Sequence, residues 1–400
     1  MFELLGILDA ARIYTRIANL AKTALIPANN LQQHSINNPS SIAAEIPKSA
    51  SKITADNQKF SYSSRANRKD AKAPAFAYPG TAVKFKFTGT SLKVELTEDF
   101  WGSENFIDIY LDNNSQPVTI QLQKNWGQPV VYNIASGLED KVHHATIVKR
   151  NDYVTGEFKF NGIVIDGELL SATPDSTRKI EVYGDSISAG AVVEYDRPGV
   201  KDPDGDNYHL YNAYYSYASI LARNYDAELS LVAQSGASLV DDFGYWHRGT
   251  GMEAFYNKLA PIDNAPLWNF DRYNPDLIII ALGQNDSATI DIGEDMSARD
   301  WKEHYKQFIV KLRSQRPNAY FIGMFPNMYH DRQWDVYLME AIAEYRREYN
   351  DDRVFSLIHQ QVTPGHPRIS EQQQMADTLK EFIDRTLVEN GFNWNVSQFE

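Results

Sequence analysis

A chain of 400 residues, 43% apolar and 12% aromatic, has enough apolar material for two or three domains with large cores, which excludes global disorder. Its formal net charge of -13 argues against nucleic acid or an anionic membrane as the main partner. It contains no cysteine, so disulfides and thiolate metal sites are excluded and redox chemistry says nothing of the compartment.

The opening segment, MFELLGILDAARIYTRIANLAKTALIPANN, sets Leu4, Leu8, Ile17, Leu20 and Ala24 at helical spacing and predicts an amphipathic helix. Glu3, Asp9, Arg12 and Arg16 interrupt its apolar run, so it reads as a poor signal peptide. No stretch of the chain reaches the ~20 apolar residues of a membrane span. Residues 28 to 55 are rich in Asn, Gln, Ser and Pro and read as a linker, so residues 1–55 are expected to form an N-terminal helical extension and linker.

From 56 to 172 the pattern is that of strands. AVKFKFTG sets Val83, Phe85 and Phe87 on one face and Lys84 and Lys86 on the other. SLKVELT alternates likewise through Leu92, Val94 and Leu96, and NFIDIYLDNN through Ile107, Ile109 and Leu111. VTIQLQ, HHATIVKR and GEFKFNGIVID continue the series. Short alternating strands without helical interludes predict a β-sandwich of jelly-roll type. The boundary falls in SATPDSTR, Ser171 to Arg178.

Over 173–400 strands alternate with helices. KIEVY, LSLVAQ, PDLIIIALG and AYFIGMF are predicted strands, and PDLIIIALG is continuously apolar, as in a strand buried on both faces. YYSYASILARNYDAE, ARDWKEHYKQFIVKLRSQRP, VYLMEAIAEYRREY and EQQQMADTLKEFIDRTLVENG are predicted helices. The expected fold is a two-domain α/β protein, an N-terminal β-sandwich followed by an α/β/α sandwich with a central parallel sheet. In such sheets chemistry sits beyond the C-terminal strand ends.

Three of those ends are unusual. KIEVY runs into GDSIS, which puts Ser186 at a strand-to-helix turn with its N–H at a helix N-terminus, a place to stabilise an oxyanion. The plainer alternative is that Asp185 or Ser186 only caps the helix. LSLVAQ ends in SGAS, where Gly236 allows a backbone N–H to approach a ligand. PDLIIIALG runs into GQND, with Gly283, Asn285 and Asp286, where the Asn285 amide is a candidate donor to developing negative charge and an Asx turn is the alternative. Finally, VTPGHPRIS holds His366 between Gly365 and Pro367, in a loop that cannot be helical, where it is a candidate general base for a serine. The remaining histidines lack such a setting, and His209, His247, His330 and His359 read as solvated loop residues.

With GDSIS, SGAS, GQND and a late HP in order, the sequence resembles the SGNH (GDSL-type) hydrolases. A sandwich joined directly to such a domain resembles carbohydrate esterase family 2, the acetylxylan esterases, through FKFTGTSLKVEL, ATIVKRND, GEFKFNGIVIDGELL, RKIEVYGDSISAG and NPDLIIIALGQND over roughly residues 75 to 390. The resemblance implies Ser186 as nucleophile and His366 as its base. It implies an oxyanion hole of the Ser186 and Gly236 backbones and the Asn285 amide, with Asp185, Gly283 and Asp286 in support. It also implies acyl transfer on an acetylated polysaccharide, no cofactor, and work outside the cell or in the periplasm.

One departure stands out. Such enzymes commonly place an Asp two or three residues before the histidine, and here those positions are Pro364 and Thr363. Either a backbone carbonyl holds the ring, or a distant Asp does. DPDGDN, Asp202 to Asn207, looks like half of a calcium loop but lacks its later Gly and Glu, and reads as a solvated insertion. Tyr245 and Trp246 are candidates for a substrate rim, with core packing the plainer reading. No paired-His zinc motif and no G-x-S-x-G elbow occurs, which disfavours a metal deacetylase and the α/β-hydrolase fold. The rivals are an SGNH esterase, lipase or thioesterase of other acyl specificity, and a carbohydrate-binding pseudoenzyme. Oligomeric state has no signature in the sequence.

Overall fold

Alternation of apolar and polar side chains builds the first half of the chain, and continuous apolar strands build the second. The computed structural model describes residues 50–394 apart from 64, 99–103, 113, 126 and 174. The predicted N-terminal helix, and the linker up to residue 49, lie outside the described residues.

Among the described residues eleven strands form the sandwich: β1 Ser51–Thr54, β2 Ser61–Tyr62, β3 Ala75–Phe76, β4 Ala82–Phe87, β5 Ser91–Glu98, β6 Phe106–Leu111, β7 Val118–Gln121, β8 Val130–Ser136, β9 His143–Lys149, β10 Phe158–Ile165 and β11 Leu169–Leu170. One antiparallel sheet runs β1-β10-β5-β8, with β3 beside β10, and the other β11-β4-β9-β6-β7, with β2 beside β4. The inward faces meet in one core that includes Val83, Phe85, Phe87, Leu92, Val94, Leu96, Ile107 and Ile109, the residues whose alternation predicts it. The stretch read as linker ends in a strand instead: Ser51–Thr54 pairs with Gly162–Ile165 along β10.

The second domain is a five-stranded parallel sheet, β12 Lys179–Gly184, β13 Glu228–Ala233, β14 Leu277–Ala281, β15 Tyr320–Met324 and β16 Val354–Leu357, in the order β13-β12-β14-β15-β16. Its principal helices are α1 Tyr217–Asn224, α2 Met252–Phe255, α3 Gln284–Thr289, α4 Ala298–Gln315, α5 Gln333–Tyr349 and α6 Ile369–Phe382. β14 shows why a continuous apolar run is needed. Ile278 and Ile280 pack into a core with Trp301, Tyr305 and Phe308 of α4, while Leu277, Ile279 and Ala281 pack on the opposite face with α1 and α6. Each face removes a full set of side chains from water, at ~25 cal/mol per Å² of apolar surface. No helix among the described residues is long and apolar enough to cross a membrane.

The chain leaves β12 toward β13 on one side and returns to β14 on the other, so the C-terminal end of β12 lies at a topological switch point, where a crevice opens. No helix follows at once. After Asp185 a single turn forms, with Ala189 N–H donating to Asp185 O at 3.0 Å. It breaks where Gly190 (φ 73) and Val192 (φ 53) enter the left-handed region, and the next α-helix, α1, begins only at Tyr217. Ser186 therefore has one turn of N–H groups behind it rather than the helix N-terminus expected from the sequence.

The domains share buried polar contacts. Arg65, between β2 and β3, donates to Glu181 Oε1 of β12 at 2.9 Å, with side chains 2% and 0% exposed, and to the carbonyls of Tyr256 and Lys258 at 3.1 Å each. Arg316 reaches Glu181 Oε2 at 3.7 Å without a hydrogen bond. Removing one partner of a buried pair strands the other charge, which typically destabilises by ~3–5 kcal/mol. Arg65→Ala should lower the unfolding free energy by about 3 kcal/mol, the lower end because Arg316 still faces Glu181. Urea denaturation should show this as a fall in midpoint, and a change under about 1 kcal/mol would mean that water or Arg316 replaces the contact.

Candidate active site

The three unusual turns and the histidine loop converge at the C-terminal edge of the parallel sheet. Ser186 follows β12, Gly236 follows β13, and Asn285 opens α3 after β14. His366 lies in the loop between β16 and α6. His366 Nε2 is 2.8 Å from Ser186 Oγ.

The other ring nitrogen answers the question left by Thr363 and Pro364. His366 Nδ1 is 2.6 Å from Asp202 Oδ2, and the His366 backbone N–H donates to Asp202 Oδ1 at 3.0 Å. The distant carboxylate therefore holds the ring, and it comes from the segment read as a solvated insertion. That segment is stapled down by Arg368, whose guanidinium donates to Asp202 Oδ1 at 2.8 Å and to the carbonyls of Arg197, Val200 and Lys201 at 3.3–3.4 Å. Arg368 also donates to the His366 carbonyl. Glu371 Oε1 accepts the Gly199 N–H at 2.8 Å. Gly365 makes the approach possible, since a Cβ there would lie 2.8 Å from Asp202 N and Oδ1.

These contacts set the charge state. Burial alone would raise the Asp202 pKa, but the His366 hydrogen bond and charge, with Arg368, outweigh it and hold the carboxyl at about 2. An ionised carboxylate only accepts, so His366 Nδ1 carries the proton and Nε2 presents its lone pair to the Ser186 hydroxyl. Asp185 takes no part in this relay. Its Oδ1 accepts the Ile187 N–H at 3.0 Å and organises the turn under Ser186. Burial pushes its pKa up to about 7, against the Ile187 N–H and the His366 charge.

The Asn285 amide donates one hydrogen to Ala237 O at 2.9 Å, which orients the second. Asp286 is buried beneath it, accepting the Leu239 and Val240 N–H groups at 2.8 and 3.3 Å and the Trp301 indole at 3.1 Å, and burial raises its pKa. Gly283 packs against the Phe325 ring. Gly236 has φ 79, where a side chain would be strained, and its carbonyl accepts from Tyr245 and Trp246 N–H at 2.7 and 3.2 Å.

The two aromatic candidates separate. Trp246 is 8% exposed, packs near Tyr153 of the sandwich and donates its indole N–H to Pro261 O at 2.8 Å, so it is core and not rim. Tyr245 is 68% exposed beside Gly236. Sequence reasoning missed Tyr329, 72% exposed, whose carbonyl accepts from Gln284 of the GQND turn at 2.9 Å. It also missed Asp202 and Arg368. His330 and His359 are buried, contrary to their reading as solvated, and His330 Nε2 meets Asp335 at 3.0 Å.

A serine, a histidine and an aspartate in line, beside the Gly236 and Asn285 turns on a parallel sheet, are the arrangement expected of a GDSL-type hydrolase, and a GDSL-like lipase/acylhydrolase family model matches residues 182–375. The carbohydrate esterase 2 N-terminal domain matches residues 62–174. Both domains occur here in this order, and the relatives and solved structures that the chain resembles include family two carbohydrate esterases. Cellulase/esterase CelE of Acetivibrio thermocellus is 29% identical over 343 residues, which are 83% of this chain and 40% of that protein, so the chain spans two fifths of that relative. An acetylxylan esterase/glucomannan deacetylase of Cellvibrio japonicus is 27% identical over 76% of this chain and 81% of its own length. A solved family two carbohydrate esterase from Clostridium thermocellum, in complex with cellohexaose, superposes with a TM-score of 0.73 at 27% identity, covering 82% of this chain and 99% of that one.

The Asp202 carboxyl links the site to stability. Its pKa is about 2 in the folded protein against 3.8 for an ordinary aspartate carboxyl, so the unfolded chain binds more protons between those values. Its contribution is fully present above about pH 5 and is lost as pH falls toward 2. After discounting for partial exposure it amounts to about 1 kcal/mol. The stability difference between wild type and Asp202→Asn should therefore be flat above about pH 5 and shrink on acidification. Urea melts at stepped pH check this, and a difference independent of pH down to about 2 would contradict the depressed pKa.

Proposed function

We propose that this protein is a serine esterase that removes acetyl groups from a polysaccharide of the xylan or glucomannan type. The observation that carries the reading is the unbroken relay from Ser186 Oγ through His366 to Asp202, at 2.8 and 2.6 Å. His366 Nε2 takes the Ser186 proton as Oγ attacks the ester carbonyl. The oxyanion is met by the Ser186 and Gly236 backbone N–H groups and the free hydrogen of the Asn285 amide. The sugar hydroxyl leaves with the proton from His366, and water releases acetate by the reverse sequence. Asp202 keeps the proton on Nδ1 and stabilises the imidazolium, and Arg368 holds Asp202. Exposed Tyr245 and Tyr329 are suited to the faces of sugar rings. The names of the relatives support the polysaccharide, and the pseudoenzyme alternative loses its motive once Asp202 supplies the third side chain.

Wild type should release acetate from acetylated xylan or glucomannan, and Ser186→Ala should not. Equal rates would sink the enzyme reading. On nitrophenyl esters acetate should be preferred over octanoate, and the reverse order would favour a lipase-like specificity. Asp202→Asn should lower kcat by roughly 10³–10⁴ by presenting the wrong tautomer of His366 to the serine. A fall under about tenfold would mean that the ring is oriented by something else.

A further inference from the structure

The oxyanion loop is held from outside its own domain. Asp152 lies in the sandwich just beyond β9, with its side chain fully buried. Its Oδ1 accepts the Val154 N–H at 3.1 Å and caps the short turn Tyr153–Thr155, which is an ordinary structural task. Its Oδ2 crosses the domain boundary and accepts the backbone N–H of Ser235 at 2.7 Å. Beside it, the Tyr153 N–H donates to Gln234 Oε1 at 3.1 Å. The Gly236 carbonyl is held separately, by the N–H groups of Tyr245 and Trp246. The peptide that carries the Gly236 N–H is thus anchored upstream by the Asp152–Ser235 bond and downstream by the 245–246 turn, and its own carbonyl, that of Ser235, accepts from Gln234 Nε2 at 3.3 Å. Gly236 has the widest backbone freedom of any residue type, so without the Asp152 anchor only the long Gln234 contact resists rotation of that peptide plane and of its N–H.

We infer that Asp152 is a positioning residue for the oxyanion hole, acting from the sandwich through Ser235 on the direction of the Gly236 N–H. The inference rests on the reading of Gly236 as an oxyanion donor. A carboxylate suits the task because each oxygen accepts one backbone N–H, whereas an amide would turn an NH₂ group toward one of the two donors. Lys149, buried and donating to Asn105 Oδ1 at 3.2 Å and Thr155 Oγ1 at 3.4 Å, is the cation of the same pocket.

The test is Asp152→Asn in the full chain, assayed on an aryl acetate per folded molecule, with the folded fraction taken from near-UV circular dichroism. Removal of one oxyanion donor typically costs ~10²–10³ in kcat, and a misdirected donor should cost on the order of 10²-fold with KM within about twofold. A boronic acid forms a tetrahedral adduct on a catalytic serine with an oxygen in the hole, so its inhibition constant should rise by the same factor by which kcat/KM falls. A merely structural brace would lower the melting temperature and leave kcat, KM and boronate affinity at wild-type values, and that result overturns the inference. Should Asp152→Asn fail to fold, Asp152→Ser keeps one acceptor for the Val154 N–H and carries the same kinetic expectation. Ser186→Ala run in parallel separates the two levels. If it is inactive while Asp152→Asn keeps wild-type kcat, only the inference fails. If it keeps wild-type activity, the reading beneath it fails.

Discussion

The hydrogen bond from His366 Nδ1 to Asp202 is the contact on which the arrangement of the site depends. It fixes the tautomer of the histidine, and so the lone pair that faces Ser186. It also sets conditions on several residues that never touch the serine. Gly365 must lack a side chain so that the 200–202 backbone can come within reach. Arg368, 2% exposed, must draw in the carbonyls of that segment as well as its carboxylate. Glu371, in the first turn of α6, must hold Gly199. A charged group delivered by an insertion is thereby given the order of one delivered by a strand.

The second constraint comes from the sandwich. Arg150, Asn151 and Asp152 follow β9 directly, and each grips a different part of the hydrolase domain. Arg150 pairs with Glu194 and with the carbonyls of Tyr211 and His209. Asn151 donates to Tyr208 O at 2.7 Å, and Asp152 takes the Ser235 N–H. Asn212 closes the network by donating to Asp108 of β6 at 2.8 Å and to Glu194 at 2.9 Å. The loop that leaves Ser186 and the loop that bears Gly236 therefore share one foundation. Buried polar groups at this density are tolerable only because their partners are in place.

Much of this was legible in the sequence, and the remainder has physical reasons for being hidden. Long strands with a two-residue period, such as β4 and β5, and the apolar run of β14 announce themselves, because burial on one face or two leaves a pattern. β2, β3 and β11, at two residues each, have no room for a period, and β16, at four, lies in VFSL without alternation. Ser186, Gly236, Asn285 and His366 are marked by their turns. Asp202 has no such mark. It lies 164 residues from His366 in sequence, among other acids and a glycine typical of a surface loop, and only the folded chain distinguishes it from Asp204 or Asp206. The helix expected after Ser186 fails for a local reason, the left-handed backbone at Gly190 and Val192, which apolar spacing does not encode.

The segment of Arg150, Asn151 and Asp152 after β9 also bears on how such proteins are assembled in evolution. A binding module tied to an enzyme by a flexible linker can be lost, duplicated or exchanged without disturbing the chemistry. Here the segment is shared, continuing a strand of one domain and hydrogen-bonded to the loops of the other. Gene rearrangement can join this pair to further modules, and the matched relative, two fifths of which this chain spans, is a much longer protein. Separating the pair would strip Glu194, Tyr208, Tyr211 and Ser235 of the partners that hold them.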